Sequence, residues 1–418
     1  MNRIRQFWHY ARKVFDLPRR LRSVRDRRSD PEVPTWAVTV SLFLGAFLRR
    51  GSFLQIQADS RRRGWQRLID YAAPISDERL AYVAERYRLE DLREVLVQIN
   101  KTLKKNKAFE SAKMDGLLVV EVDANEQFKS RCRCCEDCRE RKVTIQNGQG
   151  QEEEVTEYYH YQVYAHIHGP QVSTVLDIET IRPGEDEARA AVRLLGRMRR
   201  LYGPRFFDVV TVDAWYAKGP TIKSIQRLGW APVAVLKQER YEVYQETTVL
   251  AQAQSPLHCE QEGRQIELKE VRDLPFTDDA IGPVRVVCAD EKWEQVQVKG
   301  QSKVRVPKQS HWRWLSTQEL DGYGPKTIWR IGHHRWGVEN HVFNELTKFY
   351  HLEHCPRHHP VAIMAWLLIL VLAFNLFELF ARMHGKLWRQ GRTTLRDIAS
   401  ELFESMARWE EIEPLWSG

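Results

Sequence analysis

The chain has 418 residues, of which 43% are hydrophobic and 11% are aromatic. This composition excludes a disordered protein and predicts two or three domains with substantial cores. The formal net charge is +8, and the basic runs RRLRSVRDRR and DSRRRGW lie near the N-terminus. Such runs are typical of surfaces that bind nucleic-acid phosphates, although a solvated arginine-rich surface would show the same pattern. Because the N-terminus is charged and has no continuous apolar segment, we expect no secretory signal.

The first 110 residues show helical patterns and no strand-like run. Apolar residues recur at three- and four-residue spacing in SLFLGAFLRR, DERLAYVAERY and LEDLREVLVQINKTLKK. Either Ser76 or Asp77 is a suitable N-cap for the second of these helices. Together with the basic runs, these patterns predict that residues 1–110 form a helical, basic DNA-binding region.

Residues 111–237 alternate between strand and helix patterns. LLVVEVD is a short apolar strand, and YYHYQVYAHIHG and PQVSTVLDIETI predict a hairpin. They are followed by an amphipathic helix (EDEARAAVRLLGRMRRLYG), a strand (FFDVVTVDAWY), a helix (PTIKSIQRLGW) and a buried strand (APVAVLK). This order predicts an α/β fold with an RNase H-like mixed sheet, in which ligands bind beyond the strand ends.

The remaining residues interrupt and then complete this core. Short polar strands such as VRVVCAD predict an inserted β-rich domain over residues 238–310. Residues 311–385 are predicted to finish the core with one long helix, TIWRIGHHRWGVENHVFNELTKF, and an apolar helix, VAIMAWLLILVLAFNLFELF. The apolar helix could span a membrane by length. It contains Asn375 and Glu378, however, so we predict a buried core helix and no membrane partner. Residues 386–418 are predicted to form a helical tail.

Three acidic residues are placed where a metal site would need them. Asp123 ends the strand LLVVEVD, Asp213 ends the strand within FFDVVTVD, and Glu339 lies in the helical segment HRWGVENHVF. Carboxylates that come from separate elements and meet at a strand edge suit two-metal phosphoryl transfer, because Mg²⁺ prefers oxygen ligands. Asp115 and Asp208 are weaker candidates, since they precede their strands and would lie at the opposite end of the sheet.

Glu345 and Glu353 are alternatives to Glu339 in this part of the chain. Only Glu339 has Arg335 one helical turn before it on the same face. The planar guanidinium of Arg335 suits either the orientation of a carboxylate or the binding of a phosphate.

These segments resemble the DDE transposases of bacterial insertion sequences, in the branch that carries a β-rich insertion before the last Glu. The resemblance rests on VVEVDANEQFKS, VVTVDAWYAKGPTIKSIQRLGWAPVAVLK and HRWGVENHVFNELTKFYHLEH, and it covers roughly residues 115–380. It implies an RNase H-like catalytic domain with Asp123, Asp213 and Glu339 as the triad that binds Mg²⁺ or Mn²⁺. It also implies cleavage at transposon ends and strand transfer into target DNA, with metal-activated water and then a 3′-hydroxyl as the attacking groups.

The same branch often carries Tyr, Arg, Glu and Lys at fixed spacing on its last catalytic helix. The matching positions here are Gly332, Arg335, Glu339 and Leu346, so that only the Arg and the Glu are present. Lys348 is a possible substitute for the lysine, but it falls on a different face of the helix.

Four of the seven cysteines lie in the segment RCRCCEDC. Cys135 and Cys138 have the spacing of zinc ligands, Cys132 lies three residues upstream, and His160 at the start of the predicted hairpin could be the fourth ligand. Reduced surface thiols are the alternative. A second cluster, HLEHCPRHHP, occupies a predicted connection between helices, and we interpret it as structural or DNA-facing.

The resemblance implies double-stranded DNA as the partner, in the form of transposon ends and target. We also expect a homodimer in the DNA complex and a cytoplasmic, nucleoid-associated location. Two other functions fit the same residues. One is an RNase H-like nuclease without strand-transfer activity, and the other is a zinc-containing DNA-binding protein without cleavage activity.

Overall fold

The computed structural model describes residues 3–276, 281–299, 302–383 and 394–408. The chain forms two compact units. The first unit contains Met1–Ala112, Ala124–Asp186 and Val338–Gly418, and the second contains Lys113–Asp123 and Glu187–Gly337. The predicted domain boundaries remain predictions.

Helices form the N-terminal part of the first unit, in agreement with the sequence pattern. Their bounds are α1 Arg3–Phe15, α2 Leu17–Arg22, α3 Thr35–Phe47, α4 Phe53–Ser60, α5 Arg63–Ile69, α6 Asp77–Ala84 and α7 Leu89–Lys105. Ser76 is the N-cap of α6, because its hydroxyl accepts a hydrogen bond from the backbone N–H of Arg79 at 3.2 Å. Trp8 and Trp65 are fully buried, so these aromatic residues near the arginine-rich runs pack in the core.

Strand β1 (Val119–Ser130) begins in the second unit and ends in the first. In the first unit, β3 (Glu152–Gly169) pairs antiparallel with β2 (Arg139–Gln146) and with β4 (Val172–Thr180), which confirms the predicted hairpin at Gly169.

The end of the chain adds α12 (Asn344–Tyr350), α13 (Pro360–Met383) and α14 (Leu395–Ala407) to the first unit. The predicted tail over 386–418 is described only for residues 394–408.

The apolar helix α13 is long enough to cross a membrane, but 89% of its most apolar 18-residue stretch is buried inside the structure. The hydrogen bonds of Asn375 explain why this polar residue occurs in an apolar helix. Its Oδ1 accepts a hydrogen bond from the backbone N–H of Val175, and its Nδ2 donates to the Val175 carbonyl, both at 2.8 Å. Val175 lies beside a register shift in the β3–β4 ladder, where strand pairing is irregular. The side chain of Asn375 therefore satisfies a backbone site next to that irregularity, as in a core helix.

In the second unit, parallel and antiparallel strands share one sheet, in the order β1, β5, β6, β10, β9, β8, β7. Strands β1, β5 (Val209–Val212) and β6 (Ala231–Val235) are parallel, and α8 (Glu187–Tyr202) and α9 (Gly219–Arg227) precede and follow β5. The antiparallel part consists of β7 Leu257–Gln261, β8 Arg264–Leu274, β9 Val284–Lys299 and β10 Ser302–Thr317, with α10 Glu242–Leu250 before it.

The mixed α/β class and the RNase H-like order of elements are therefore confirmed. One element differs from the prediction. The segment predicted as one long helix is divided into α11 (Pro325–His334), a π-helix (Val338–Phe343) and α12. Regular α-helical hydrogen bonding breaks immediately after His334, so Arg335 and Glu339 are not successive residues on one face of a straight α-helix.

Candidate active site and a cysteine–histidine cluster

Asp123 and Asp213 are brought to neighbouring strands of the second unit. Val119, Val120 and Glu121 of β1 are opposite Val209, Val210 and Thr211 of β5, a constant offset of 90 residues. The same offset relates Asp123 to Asp213, and neighbouring strands lie about 4.8 Å apart. The prediction that β1 stops at Asp123 was wrong, because the strand continues to Ser130. The carboxylate nevertheless lies just beyond the residues that pair with β5.

Asp213 follows the last residue of β5 and caps a short 3₁₀ turn, Ala214–Tyr216. Its Oδ1 accepts a hydrogen bond from the backbone N–H of Trp215 at 2.8 Å. Tyr216 is buried, and its hydroxyl donates to Glu187 on α8. Burial, the Glu187 carboxylate and the charges of Asp123 and Asp213 all raise the pKa of Tyr216, so its hydroxyl stays protonated. Sequence patterns gave no signal for this Tyr216–Glu187 contact, which fixes the turn that carries Asp213.

Arg335 binds Asp123 directly. Its Nη1 lies 3.0 Å from Asp123 Oδ2, and the two side chains are only 6% and 12% exposed. The sequence indicated a role for Arg335 in orienting Glu339 or binding phosphate, whereas the structure shows it holding the first aspartate. Arg335 Nε is buried and has no hydrogen-bond partner among the described residues. It is thus a donor available to an additional acceptor.

Glu339 belongs to the first unit and lies in the π-helix Val338–Phe343, where its side chain is partly exposed. Single π-helical turns occur frequently at functional sites.

The two competing aspartates make contacts at the starts of their strands. Asp208 Oδ2 accepts a hydrogen bond from the backbone N–H of Leu118 at 2.8 Å. Asp115 accepts one from Thr327 Oγ1 at 2.6 Å and forms an ion pair with Arg330 at 2.9 Å. Both carboxylates are used to connect elements of the second unit.

The two positions that depart from the Tyr-Arg-Glu-Lys pattern are packed in hydrophobic surroundings. A Cβ atom at Gly332 would lie 2.2 Å from Trp314 Nε1, so the indole of β10 occupies the space that a side chain on α11 would need. Leu346 is fully buried in the first unit.

Four potential metal ligands converge within the first unit: Cys135, Cys138, His160 and His358. The two sulfurs are 3.8 Å apart, and His160 Nε2 lies 3.4 Å from Cys135 Sγ and 3.3 Å from Cys138 Sγ. His358 Nε2 lies 3.1 Å from Cys138 Sγ. All four ligand atoms are within 4.8 Å of one another.

This cluster differs from the predicted ligand set at one position. Cys132 is exposed and lies outside the cluster, with its sulfur 3.8 Å from Ser130 Oγ. His358 comes from HLEHCPRHHP, the segment interpreted as structural or DNA-facing, and takes the fourth position. Burial, with a contribution from His358, lowers the pKa of His160 to about 4, so its imidazole is neutral at pH 7, as in metal-binding histidines.

The transposase DDE domain family matches residues 156–376, which is more than half of the chain. The chain belongs to this family. The resemblance seen in the sequence is thereby confirmed, whereas an origin in a bacterial insertion sequence remains a prediction. Membership identifies a nuclease or transposase type of enzyme that uses divalent metal ions.

Among solved structures, the chain is similar to a piggyBac transposase synaptic complex with hairpin DNA, at 11% identity and a TM-score of 0.40. That similarity covers 97% of this chain and 79% of the other. No curated protein sequence matches the chain.

Proposed function

We propose that this protein is a DNA transposase that cleaves DNA at transposon ends and transfers the strands into target DNA. The observation that best supports this function is the parallel register of β1 and β5, which relates Asp123 to Asp213 at the ends of neighbouring paired segments. Family membership is independent support. Glu339, within the matched region, is the proposed third carboxylate.

The donor set fits hard divalent cations, since Asp123, Asp213 and Glu339 offer only carboxylate oxygens. Bound Mg²⁺ or Mn²⁺ would activate the attacking hydroxyl and stabilise the leaving oxygen. The protein's own contribution is mainly positioning. Arg335 fixes the Asp123 carboxylate, and Tyr216 fixes the turn that carries Asp213.

The surface next to Asp213 suits a nucleic-acid substrate. Trp215 is 54% exposed, and the Lys218 ammonium lies 4.5 Å from the centre of its ring. An exposed aromatic face beside a cation is a common base-stacking surface in proteins that bind single strands. We propose double-stranded DNA as the partner, contacted also by the basic region 1–110. We further propose a homodimer that holds two transposon ends and a cytoplasmic, nucleoid-associated location, since the proposed substrate is DNA.

The test is cleavage of a supercoiled plasmid that carries the coding sequence with its flanking DNA. We expect wild-type protein to cut this plasmid in the presence of Mg²⁺ or Mn²⁺, and we expect cleavage to stop when EDTA is added. Asp123→Asn, Asp213→Asn and Glu339→Gln should each reduce cleavage by at least about 1,000-fold, since metal-ligand loss removes several kcal/mol of transition-state stabilisation. Binding to the same DNA in a mobility-shift assay should be retained.

Glu353→Gln is the matched control, because Glu353 is an exposed acid near Glu339 in the sequence and its loss should leave cleavage unchanged. Wild-type rates in any triad variant would reject the assignment of that residue. A second plasmid as target separates the alternatives. Cleavage without joined products would indicate a nuclease, and binding without metal-dependent cleavage would indicate a DNA-binding protein.

A further inference from the structure

We propose that Cys135, Cys138, His160 and His358 form a structural Zn²⁺ site in the first unit. The site would fasten the connection between β1 and β2 and strand β3 to the segment that precedes α13. It is separate in chemistry from the carboxylate site and does not depend on DNA cleavage.

The distances match tetrahedral zinc coordination. Zinc binds sulfur at about 2.3 Å and imidazole nitrogen at about 2.0–2.1 Å. At the tetrahedral angle these bond lengths separate two sulfurs by about 3.8 Å and a sulfur from a nitrogen by about 3.5 Å. The structure has 3.8 Å between Cys135 Sγ and Cys138 Sγ. Three of the four sulfur–nitrogen distances are 3.4, 3.3 and 3.1 Å, and the fourth is within 4.8 Å. Four side chains therefore surround a volume of the size of one ion.

The local backbone suits the same ligand set. Cys135 and Cys138 are joined by a tight turn, in which the N–H of Cys138 donates to the Cys135 carbonyl at 3.0 Å. The N–H of Cys135 donates to Cys138 Sγ at 3.3 Å, a hydrogen bond that would stabilise a thiolate. Two thiolates and two imidazoles form a closed set of the Cys₂His₂ type, which is characteristic of structural rather than catalytic zinc.

A Cys135–Cys138 disulfide is the main rival, because the two sulfurs are neighbours. It gives no reason for two imidazole nitrogens to lie within 3.4 Å of a cysteine sulfur. His358 is 220 residues from Cys138 in sequence, and a bridge across so long a loop constrains the unfolded chain strongly. Zinc accounts for all four residues, whereas a disulfide accounts for two.

The decisive measurement is the metal content of full-length protein purified without chelators from zinc-supplemented medium. We expect about one zinc per chain in the wild type and near-complete loss in His358→Ala. His358→Cys should retain zinc, because it replaces one ligand by another of the same preference. Cys132→Ser and Cys134→Ser are matched controls in the same segment and should keep the wild-type content, since both cysteines are exposed and outside the cluster.

Cobalt substitution gives a second readout that does not rely on the alanine variant being folded. Wild-type protein exchanged with Co²⁺ should show the visible absorption of tetrahedral cobalt and a thiolate-to-cobalt charge-transfer band. Alkylation of unreduced, denatured protein followed by mass spectrometry should find Cys135 and Cys138 as free thiols. Wild-type protein with well under one zinc per chain, or with these two cysteines joined as a disulfide, would overturn the proposal. Loss of zinc in Cys132→Ser together with retention in His358→Ala would also overturn it, in favour of a different ligand set.

Discussion

Replacing Gly332 by alanine should destabilise the protein through one identifiable clash. The added Cβ would meet three atoms of the Trp314 indole at 2.2, 2.3 and 2.5 Å. Trp314 is 1% exposed, stacked on Trp312 and in edge contact with His333, so the ring has little room to move. Overpacking of this kind costs about 1–3 kcal/mol. Alanine in a helix gains up to about 1 kcal/mol over glycine, so the net loss is smaller than the clash itself.

Gly196 provides the matched control that isolates the clash. It lies in α8 of the same unit, and a Cβ there would meet nothing within 4 Å. Gly196→Ala should therefore show only the helix gain, and the two variants should differ by the full overpacking cost of about 1–3 kcal/mol. The free energy of unfolding from urea titrations followed by circular dichroism measures this difference. Equal free energies for Gly196→Ala and Gly332→Ala would refute the reasoning.

Two further predictions concern buried polar residues. Burial alone would raise the pKa of Glu291, but hydrogen bonds from His333 and Trp329 lower it from 4.5 to about 2. Because the folded pKa lies below the unfolded one, this stabilisation is complete above about pH 4.5 and is lost as the pH falls towards 2. Glu291→Gln should remove this part of the acid sensitivity in urea unfolding measured at several pH values; parallel wild-type and variant profiles would contradict it. Asn375→Leu should destabilise the protein by about 2 kcal/mol despite the gain in hydrophobicity, because the backbone N–H of Val175 loses its acceptor. A thermal unfolding midpoint at or above that of the wild type would refute this prediction.

Local sequence patterns were sufficient to predict most helices and strands, including the strands that carry Asp123 and Asp213. The alternation of polar and apolar residues and the apolar runs involve only residues that are neighbours in the sequence. The order of strand, hairpin and helix could therefore be predicted from them. The end of β1 could not, because five of the seven residues 124–130 are polar, and the segment lacks the apolar run of the predicted strand before it. The break after α11 was missed for a related reason. The segment from Thr327 to Phe349 keeps a helical pattern, and no proline in it signals that the hydrogen bonding changes at Arg335.

The ligands of the proposed zinc site illustrate the same limit over a longer distance. The spacing of Cys135 and Cys138 is a local signal, and together with His160 at the start of the predicted hairpin it identified three of the four members of the cluster. His358 could not be chosen over Cys132 from spacing, because a ligand 220 residues away is selected by the fold and not by its neighbours.

Gly332 and Trp314 also account for the missing tyrosine of the Tyr-Arg-Glu-Lys pattern. The indole of Trp314 on β10 fills the space into which a side chain at position 332 of α11 would project, so this space is occupied although Gly332 has no side chain. The bare helix surface allows α11 to pack closely on β10, and Arg335 follows directly at its C-terminal end. From there the guanidinium reaches Asp123 at 3.0 Å. A bulky residue at position 332 would push α11 away from the sheet and lengthen that contact. The glycine and the arginine are therefore parts of one arrangement, in which close packing of the helix holds the first aspartate of the site.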